Sequence, residues 1–432
     1  MMSAQNAKTT AADGSAVIEP GCLAGRRILF FAGLVHHYQR LAPLLCRLDE
    51  LGANVIYATT QNVNFGCDFK GDFEVPLVQA GKRYIFLPEH FEAEVANDLV
   101  LDYRRAERTI AEAVRSTPQW SIRLSVAAVR LRTMIGLEHD RLVRKLLDHV
   151  EPELVLVLHE YNCWARPLCA QAIARDIPVL SFIEGVPYET LPQGMLNGQL
   201  SSRICLWGQA HYRRMVADGA EPAKLAIIGA MHLDIVRNTY LAEAKQLRAQ
   251  FDLSPKKKII LLLMPRLCYL DAADQIIRAL TDFVRERRGY QFVIKWHSHD
   301  RVEEIDRLCT CVNGTKHFQS ENTLQLIACA DVVLCSGTMA GTEALAFGKP
   351  VIEINWQGRN VNINYSARGI AQEVCSPQDL PLIDEIITNG RPKPIIEAVE
   401  KFVADTFSTL DGRSVDRAVG QVLSLLNPCT KS

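Results

Sequence analysis

The sequence lacks any apolar run long enough to cross a membrane, and it has no excess of charge of one sign. Its core-like stretches are short, as in Ile259 to Met264, whereas a spanning helix needs about 18 to 20 apolar residues. The 48 Lys and Arg residues balance 49 Asp and Glu residues, which leaves a net charge of −1. The composition therefore predicts neither an integral membrane protein, nor a nucleic-acid-binding protein, nor an acidic disordered chain.

Two further features are missing, a secretory signal and a disulfide framework. Residues 1–25 have neither a basic start nor the apolar stretch of about 7 to 15 residues that a signal needs, so they are predicted to be a flexible leader. The 13 cysteines are odd in number and scattered through core-like segments, a pattern typical of free thiols in a reducing compartment. We therefore expect a cytoplasmic protein.

From Arg26 onward, short β-branched or Leu-rich runs alternate with longer stretches of helical period. Such continuous apolar runs suit parallel strands that helices cover on both faces. Two series of strands are predicted. The first comprises Ile28 to Ala32, Asn54 to Ala58, Arg83 to Leu87, Leu154 to Leu158, Pro178 to Ile183, Arg203 to Trp207 and Leu225 to Ile228. The second comprises Ile259 to Met264, Gln291 to Trp296, Val332 to Cys335 and Pro350 to Ile354.

The two series predict an α/β protein with two doubly wound sheets. A helix from about Leu233 to Phe251 leads into a polar linker, residues 252–258. We place the boundary there, with an N-terminal Rossmann-like domain over residues 26–252 and a C-terminal one over residues 253–432. A final helix is expected from about Asp416 to Leu426.

A helical insertion is predicted at about residues 102–149, because this region has helical period and no strand. Between Arg104 and Lys145, ten basic residues stand against four acidic ones. Such a face could contact an anionic membrane surface as a peripheral site. The alternative is an ordinary solvated helix face.

The segment from Ala330 to Ile352 carries the most specific pattern. A strand ends at Cys335, the small residues Ser336-Gly337-Thr338 form a turn, and a helix follows. A turn of small residues admits a ligand to the backbone, and the first amides of a helix favour an anion. This pattern predicts a phosphate site, with Glu343 placed to accept hydrogen bonds from a ribose diol.

This segment resembles the nucleotide-binding part of GT-B glycosyltransferases, in the superfamily of CDP-glycerol glycerophosphotransferases, capsule polysaccharide transferases and non-hydrolysing UDP-N-acetylglucosamine 2-epimerases. Phe292 to His299 resembles that superfamily's strand ending in Lys-x-His-Pro, with Ser298 in place of the proline. Trp207-Gly208 and the Asp411-Gly412-Arg413 turn agree as well. The resemblance implies the GT-B fold, in which two Rossmann-like domains face a central cleft.

The resemblance also implies that the C-terminal domain binds a nucleotide-activated sugar donor without a metal or other cofactor. Amides and cationic side chains would then stabilise the leaving diphosphate. The implied phosphate contacts are Ser336, Gly337, Thr338 and Arg266, the leaving-group stabilisers Lys295 and His297, and the ribose contact Glu343. A metal site at His297-x-His299 is an alternative, but no third ligand stands nearby.

The N-terminal domain is expected to hold an acceptor and a general base at its strand ends. His36-His37, His159 and Glu184 each follow a predicted strand. Glycerophosphotransferases carry His-Gly where this chain has Glu184-Gly185, which argues against glycerol phosphate transfer. Glu184 could deprotonate an acceptor hydroxyl, or it could orient the acceptor while His37 or His159 takes the proton.

Together these features predict a metal-independent glycosyltransferase that moves a sugar from a nucleotide donor to a cell-surface polysaccharide or lipid-linked acceptor. One alternative is an isomerase like the UDP-N-acetylglucosamine 2-epimerases, in which the nucleotide leaves and returns. That branch normally has a His-Arg-Arg-Glu-Asn-like stretch where this chain has Lys295 to His299, and a double glycine after the serine equivalent to Ser336. The other alternative is a nucleotide-sugar-binding protein without catalysis.

Overall fold

The computed structural model describes residues 18–60, 77, 81–82, 84–115, 121–185, 196–298, 300–309, 315–358 and 363–427. The strands are β1 (Arg27–Ala32), β2 (Asn54–Thr59), β3 (Tyr84–Phe86), β4 (Leu154–Val157), β5 (Val179–Phe182), β6 (Arg203–Leu206), β7 (Leu225–Ile227), β8 (Lys258–Leu263), β9 (Tyr290–Lys295), β10 (Lys316–Phe318), β11 (Val332–Cys335), β12 (Val351–Ile354) and β13 (Gln372–Val374).

The helices of the described residues lie between and after these strands. They are α1 (Val35–Glu50), α2 (Leu87–Arg115), α3 (Ser121–Val150), α4 (Ala165–Ile173), α5 (Gln209–Ala217), α6 (Met231–Asp234), α7 (Arg237–Ala242), α8 (Ala244–Gln250), α9 (Ala273–Arg285), α10 (Val302–Cys309), α11 (Thr323–Cys329), α12 (Ala340–Ala346), α13 (Leu382–Asn389), α14 (Lys393–Phe407) and α15 (Ser414–Leu426).

Strands β1 to β7 form one parallel sheet in the order β3-β2-β1-β4-β5-β6-β7. Residues Ile28 to Phe31 of β1 pair with both β2 and β4. Ile28 and Phe30 pack in a core with α1 and α15, whereas Leu29 and Phe31 pack in a second core with α2 and α3. This alternation explains why the strand is apolar at every position, since a parallel strand is buried on both faces. We call this sheet and its helices the first lobe.

Strands β8 to β13 form a second parallel sheet in the order β10-β9-β8-β11-β12-β13. Ile259, Leu261 and Leu263 of β8 pack on one side, and Ile260 and Leu262 pack on the other. We call this sheet and its helices the second lobe. The expected α/β fold with two doubly wound sheets is confirmed. Two edge strands, β10 and β13, were missed because two of the three residues in each are polar.

Each sheet reverses its strand order at one point, between β1 and β4 in the first lobe and between β8 and β11 in the second. Chain connections leave on opposite faces of the sheet at such a point and open a crevice at the carboxyl ends of the strands. Gly33 follows β1 at this edge, and a Cβ there would lie 2.7 Å from the Trp164 ring. Only glycine fits this turn, which directs the start of α1 across the strand ends.

The two lobes are joined in several places. Trp207, after β6, stacks on Phe407 at the end of α14, with ring centroids 5.8 Å apart. A Cβ on Gly208 would lie 2.4 Å from the Asp405 carbonyl oxygen, so glycine allows this close approach. Arg213 of α5 forms an ion pair with Asp405. The Trp207-Gly208 pair therefore belongs to the contact between the lobes.

The last helix, α15, packs on the first lobe although it follows the second lobe in the chain. Ala418, Val419 and Val422 are fully buried in the core beneath α1. Asp234 fixes the start of this helix, because its carboxylate accepts bonds from the amides of Gly412 at 2.8 Å and Ser414 at 2.9 Å. The Asp411-Gly412-Arg413 turn thus serves to seat the helix.

The single helix expected from Leu233 to Phe251 is wrong in one respect. The region forms three short helices, α6, α7 and α8, with breaks at Ile235–Val236 and at Glu243. Asp234, which ends α6, turns its carboxylate to the amides before α15. The periodicity of the sequence does not reveal such a contact between residues far apart in the chain. The predicted domain boundary lies between β7 and β8 and stays a prediction.

The leader predicted over residues 1–25 does not hold for its described part. Leu23 is fully buried, and its amide donates to the Leu51 carbonyl oxygen at 3.1 Å. Residues 18–25 therefore pack on the first lobe, and residues 1–17 lie outside the described part of the chain. Ten cysteines among the described residues are free thiols, and none of the described helices is both long and apolar enough to span a membrane.

The helical insertion consists of α2 and α3, which pack along each other between β3 and β4. Several of its basic residues are already paired with acidic ones. Arg130 bonds Glu107 at 2.9 Å, Arg141 bonds Asp102 at 2.8 Å and Lys145 bonds Glu94 at 3.0 Å. Because acidic residues of α2 neutralise part of this face, its geometry favours the solvated helix face over a membrane contact.

Candidate active site between the lobes

Glu184 lies two residues after β5 and is held between two histidines. Its Oε1 lies 2.7 Å from His36 Nε2, and its Oε2 lies 3.2 Å from His159 Nε2. His36 comes from the first turn of α1 and His159 from the end of β4, so three separate strand ends supply the group. The Glu184 side chain keeps 27% of its surface exposed. The carboxylate can therefore be reached from the cleft.

Asn162 fixes the orientation of His159. Asn162 Oδ1 accepts bonds from the amides of Trp164 at 3.0 Å and Ala165 at 2.7 Å, at the start of α4. Its Nδ2 must then donate to His159 Nδ1, at 2.7 Å. His159 Nδ1 is consequently an acceptor, and the ring proton lies on Nε2, which donates to Glu184. The Tyr161 ring stacks on the imidazole at 4.1 Å and holds its plane.

His37 completes the group from the buried side. Its ring lies 4.9 Å from the His36 ring and 5.1 Å from the His159 ring, and the side chain is 2% exposed. Burial, together with the neighbouring His159 and His36, lowers the pKa of His37 well below its usual value. His37 is therefore neutral at physiological pH. We call His36, His37, His159 and Glu184 the histidine–glutamate cluster.

The histidines determine the charge of Glu184. Burial opposes its ionisation, but the bonds from His159 and His36 outweigh burial and hold the pKa of Glu184 well below its usual value. The carboxylate is thus ionised at neutral pH with an imidazole N–H on each oxygen. Such an arrangement combines a proton acceptor with two groups that can donate or relay a proton.

Arg40 connects this cluster to the second lobe. It follows His36 by one helical turn on α1, and its Nη1 lies 3.1 Å from Oε1 of Glu343 on α12. Arg40 also donates to His232 Nε2 and lies over the Trp207 ring, with Cζ 5.7 Å from the centroid. The ion pair places the predicted ribose contact, Glu343, about one turn of α1 from the histidine–glutamate cluster.

Burial governs the protonation of this interlobe contact. Burial and then Arg40 lower the pKa of His232 to about 4, which agrees with its Nε2 accepting a bond. For Glu343, burial opposes ionisation, but the charge of Arg40 outweighs it and lowers the pKa. The contact is therefore a buried ion pair beside a neutral imidazole.

The remaining predicted residues of the second lobe follow β11, β8 and β9. Ser336 is buried, and Gly337 has a φ of +63°, a conformation that favours glycine. The Thr338 carbonyl oxygen accepts a bond from Tyr365 at 2.6 Å, and its hydroxyl accepts the Ala340 amide at 3.3 Å. This segment leads into α12 and hence to Glu343, so it lies on the same side of the second lobe as the interlobe contact.

Lys295 and Arg266 differ in the groups that surround them. Lys295 is buried at the end of β9, and its Nζ donates to the carbonyl oxygens of Gln319 at 2.7 Å and Trp296 at 3.0 Å. Burial lowers its pKa. This geometry favours a structural role for Lys295 over the predicted contact with a leaving group. Arg266 follows β8 at the point of strand reversal, and its buried Nε has no hydrogen-bond partner among the described residues.

His297 is half-buried at the carboxyl end of β9, and its carbonyl oxygen accepts the Asp300 amide at 3.1 Å. The alternative metal site at His297 and His299 cannot be placed, because His299 lies outside the described residues.

The structure therefore brings together the three predicted residues of the first lobe, Glu184, His159 and His37. Sequence reasoning missed Arg40, His232 and Asn162. Arg40 had a usable signal, because a residue four positions after His36 on a helix lies on the same face. His232 and Asn162 had no such signal in the sequence. The partners of His232 are distant in the chain, and the role of Asn162 depends on its capping of α4.

A buried histidine next to the cluster gives a pH prediction. His211 is fully buried, its Nε2 lies 2.7 Å from the Gly185 carbonyl oxygen, and Trp207 and Asp405 lie near it. Burial lowers its pKa to about 4, whereas an unfolded histidine titrates near 6.5. Between these values only the unfolded chain binds the proton, so this contribution to stability is present above pH 6.5 and is lost as the pH falls toward 4.

We expect His211→Gln, which keeps a donor for Gly185, to remove about 3 kcal/mol of this pH dependence. The measurement is the free energy of unfolding of both proteins from pH 7 to pH 4. His90→Gln, at an exposed position, serves as the control and should leave the slope unchanged. Parallel pH curves for wild type and His211→Gln would contradict the prediction.

A comparison with family models matches residues 195–374 to the family described as UDP-N-acetylglucosamine 2-epimerase. No curated protein matches the chain. The family match spans less than half of the chain, from the region before β6 to β13, and includes the segment Ser336 to Glu343.

Solved structures are similar over nearly the whole chain. One is the UDP-GlcNAc 2-epimerase from Neisseria meningitidis bound to UDP-GlcNAc, with a TM-score of 0.61, 16% identity and coverage of 92% of this chain and 100% of that one. Another is S. aureus MnaA with UDP, with a TM-score of 0.60, 13% identity and coverage of 94% and 98%. A third is Anabaena Alr3699/HepE in complex with UDP and glucose, with a TM-score of 0.53, 14% identity and coverage of 92% of this chain and 99% of that one.

These findings correct the expected activity. The family model describes an epimerase, and several similar structures are 2-epimerases, so the prediction of a glycosyltransferase is wrong. It depended on the absence of two short epimerase motifs, and local sequence can change while a fold and its ligand class persist. The chain thus has the expected GT-B fold and is similar, over residues 195–374, to the UDP-N-acetylglucosamine 2-epimerases.

Proposed function

We propose that the protein binds a UDP-sugar between its lobes and inverts the configuration at C2 of a 2-acetamido sugar. The observation that carries the proposal is the match of residues 195–374 to the 2-epimerase family model. It is supported by the histidine–glutamate cluster, which supplies proton-transfer groups about one helical turn from the interlobe contact of Arg40 with Glu343.

The chemistry requires a proton acceptor and a stabilised leaving group. The C2 hydrogen of such a sugar is not acidic, but it can be removed when the C1–O bond to the nucleotide breaks. The electron pair of the C2–H bond then forms a C1–C2 double bond, and the C1–O pair leaves with UDP. Addition of UDP to C1 and of a proton to the other face of C2 gives the epimer without net consumption of any reagent.

In this proposal Glu184 accepts the C2 proton. It is ionised at neutral pH, faces the cleft and is oriented by two imidazoles. His159 is held by Asn162 as a donor to Glu184, so it orients the carboxylate and cannot itself take the first proton. His36, half-exposed on the opposite oxygen, orients the carboxylate and can relay the abstracted proton to the cleft, whereas the proton that enters the other face of C2 would come from solvent.

The second lobe is proposed to hold the diphosphate and the ribose. Ser336, Gly337 and Thr338 would contact phosphate through their backbone, and Arg266 would add a cation after β8. Glu343 would bind the ribose hydroxyls, in exchange for part of its contact with Arg40. His297, near the same edge, would contact the departing diphosphate. These residues act on negative charge that develops as UDP leaves. The reaction needs only one substrate, so no acceptor is proposed.

The test is to incubate the protein with UDP-N-acetylglucosamine in D₂O, without any acceptor. We expect NMR signals of the 2-epimer to appear and one solvent deuterium to enter at C2 in both epimers. Deuterium entry reports proton abstraction even when net conversion is small. Neither epimer nor exchange with UDP-N-acetylglucosamine, UDP-N-acetylgalactosamine or UDP-glucose would refute the proposal.

A further inference from the structure

The histidine–glutamate cluster has the composition and spacing of a metal-binding site. One ring nitrogen from each of His36 and His37 and one carboxylate oxygen of Glu184 all lie within 4.8 Å of one another. Two imidazoles and one carboxylate are a ligand set that zinc uses in sites that keep a position open for water. The side chains of His36 and Glu184 are 33% and 27% exposed, so an ion can enter from the cleft.

His37 gives an independent indication of a missing ligand. Its Nε2 is buried and has no hydrogen-bond partner among the described residues. Its Nδ1 has only a long contact, 3.4 Å, with the Gly33 amide. A buried polar atom without a partner is costly, and native structures rarely keep one without a reason. A metal ion bound at Nε2 would satisfy this atom, with the ring proton moved to Nδ1 and the Gly33 contact given up.

The two oxygens of Glu184 differ in their partners, because Oε2 faces His159, whereas Oε1 faces the proposed ligand His36. His159 donates to Oε2 and is itself fixed by Asn162. Carboxylate ligands are usually held in this way by an outer hydrogen bond, which leaves the other oxygen for the ion. The chain from Asn162 through His159 to Oε2 therefore prepares Oε1, on the side of His36, for coordination.

We propose that His36, His37 and Glu184 bind one zinc ion, or a similar transition-metal ion, with the fourth position open to the cleft. The ligand set selects against Mg²⁺, which prefers oxygen ligands. This site is separate from the nucleotide phosphates, for which no metal was expected. It has a consequence that depends on the proposed function. Because zinc takes the Glu184 oxygen that would accept the C2 proton, the bound ion inhibits epimerisation.

The test is equilibrium dialysis of the metal-free full chain against Zn²⁺ and, separately, Mg²⁺, followed by elemental analysis. We expect one Zn²⁺ per chain and no Mg²⁺. His36→Gln and Glu184→Gln should each weaken zinc binding at least 10-fold. Asn162→Ala should weaken it by about 10- to 100-fold through the outer hydrogen bond. Circular dichroism of each variant shows that it is folded.

The matched control is the double variant His90→Gln/His149→Gln, which removes another pair of adjacent imidazoles, both exposed and 5.2 Å apart. It should bind zinc like the wild type. The result "an adventitious ion only" would be no stoichiometric zinc, or zinc binding that is lost in the control and unchanged in His36→Gln and Glu184→Gln. Either pattern overturns the proposed site.

The two proposals fail in distinguishable ways. If the protein lacks epimerase activity, the dialysis still decides the metal site. If zinc binds at the cluster while epimerisation continues at saturating zinc, the inhibitory consequence is wrong and Glu184 is not the free base, whereas the metal site stands. Absence of zinc binding in an active enzyme refutes only the metal site.

Discussion

Replacing Glu184 by glutamine is expected to lower kcat for the interconversion of UDP-N-acetylglucosamine and its 2-epimer by about 100- to 10,000-fold. The amide keeps the size of the side chain and one acceptor oxygen, but it cannot take the C2 proton, and general bases contribute effects of this size. The measurement is the rate of deuterium entry at C2, which isolates proton abstraction. The binding of UDP, measured by calorimetry, should change little because its proposed contacts lie in the second lobe.

Glu160→Gln is the matched control for this prediction. Glu160 also follows β4, but its carboxylate accepts bonds from the Leu200 amide and the Ser201 hydroxyl, away from the histidines. Its replacement should reduce thermal stability and leave the exchange rate within a few-fold of the wild type. Equal turnover of Glu184→Gln and the wild type would remove Glu184 from the proposed chemistry.

The second large effect is expected for Arg40→Met. This change leaves the Glu343 carboxylate buried without its cation, and breaking a buried pair typically costs about 3 to 5 kcal/mol. Because the Arg40 side chain is 23% exposed, we expect a loss of about 3 kcal/mol in the free energy of unfolding. The pKa of Glu343 should rise with it. Chemical denaturation measures the loss, and UDP affinity measures the effect on the cleft.

A double-mutant cycle separates the ion pair from the packing of Arg40 on Trp207. Glu343→Gln removes the buried charge, so Arg40→Met/Glu343→Gln should be more stable than the sum of the two single changes predicts. Residues in contact typically couple by about 0.5 to 3 kcal/mol. Additive losses would show that Arg40 acts through packing alone and that the ion pair contributes little to holding the lobes together.

The sheets could be predicted from the sequence because their information is local. Each long strand is a continuous apolar run between turn residues, and β1 and β8 show this over five consecutive buried residues. The edge strands β10 and β13 were missed because each has only one apolar residue, Phe318 or Val374, whereas the equally short β3 and β7 are apolar throughout. The break in the helix after Asp234 was missed because it accompanies a contact of Asp234 with Gly412 and Ser414, far along the chain.

The candidate site was predictable only in part. Parallel strands end at one edge of a sheet, so His37, His159 and Glu184 could be grouped from their positions alone. The partners that decide their chemistry could not be predicted. The tautomer of His159, for example, depends on Asn162, which caps a helix. The surroundings of Lys295 could not be predicted either, because a lysine at a strand end has no sequence feature that reveals two backbone carbonyls around it.

The helix α15 makes the first lobe depend on a part of the chain that is synthesised after the second lobe. Ala418, Val419 and Val422 fill the layer beneath α1, and Asp234 binds the turn that precedes them. During translation the first lobe therefore exposes this apolar surface until residues 414–426 have left the ribosome. A recombinant fragment ending near residue 252 would carry the same open surface, so a soluble version of this lobe would need the helix joined to it.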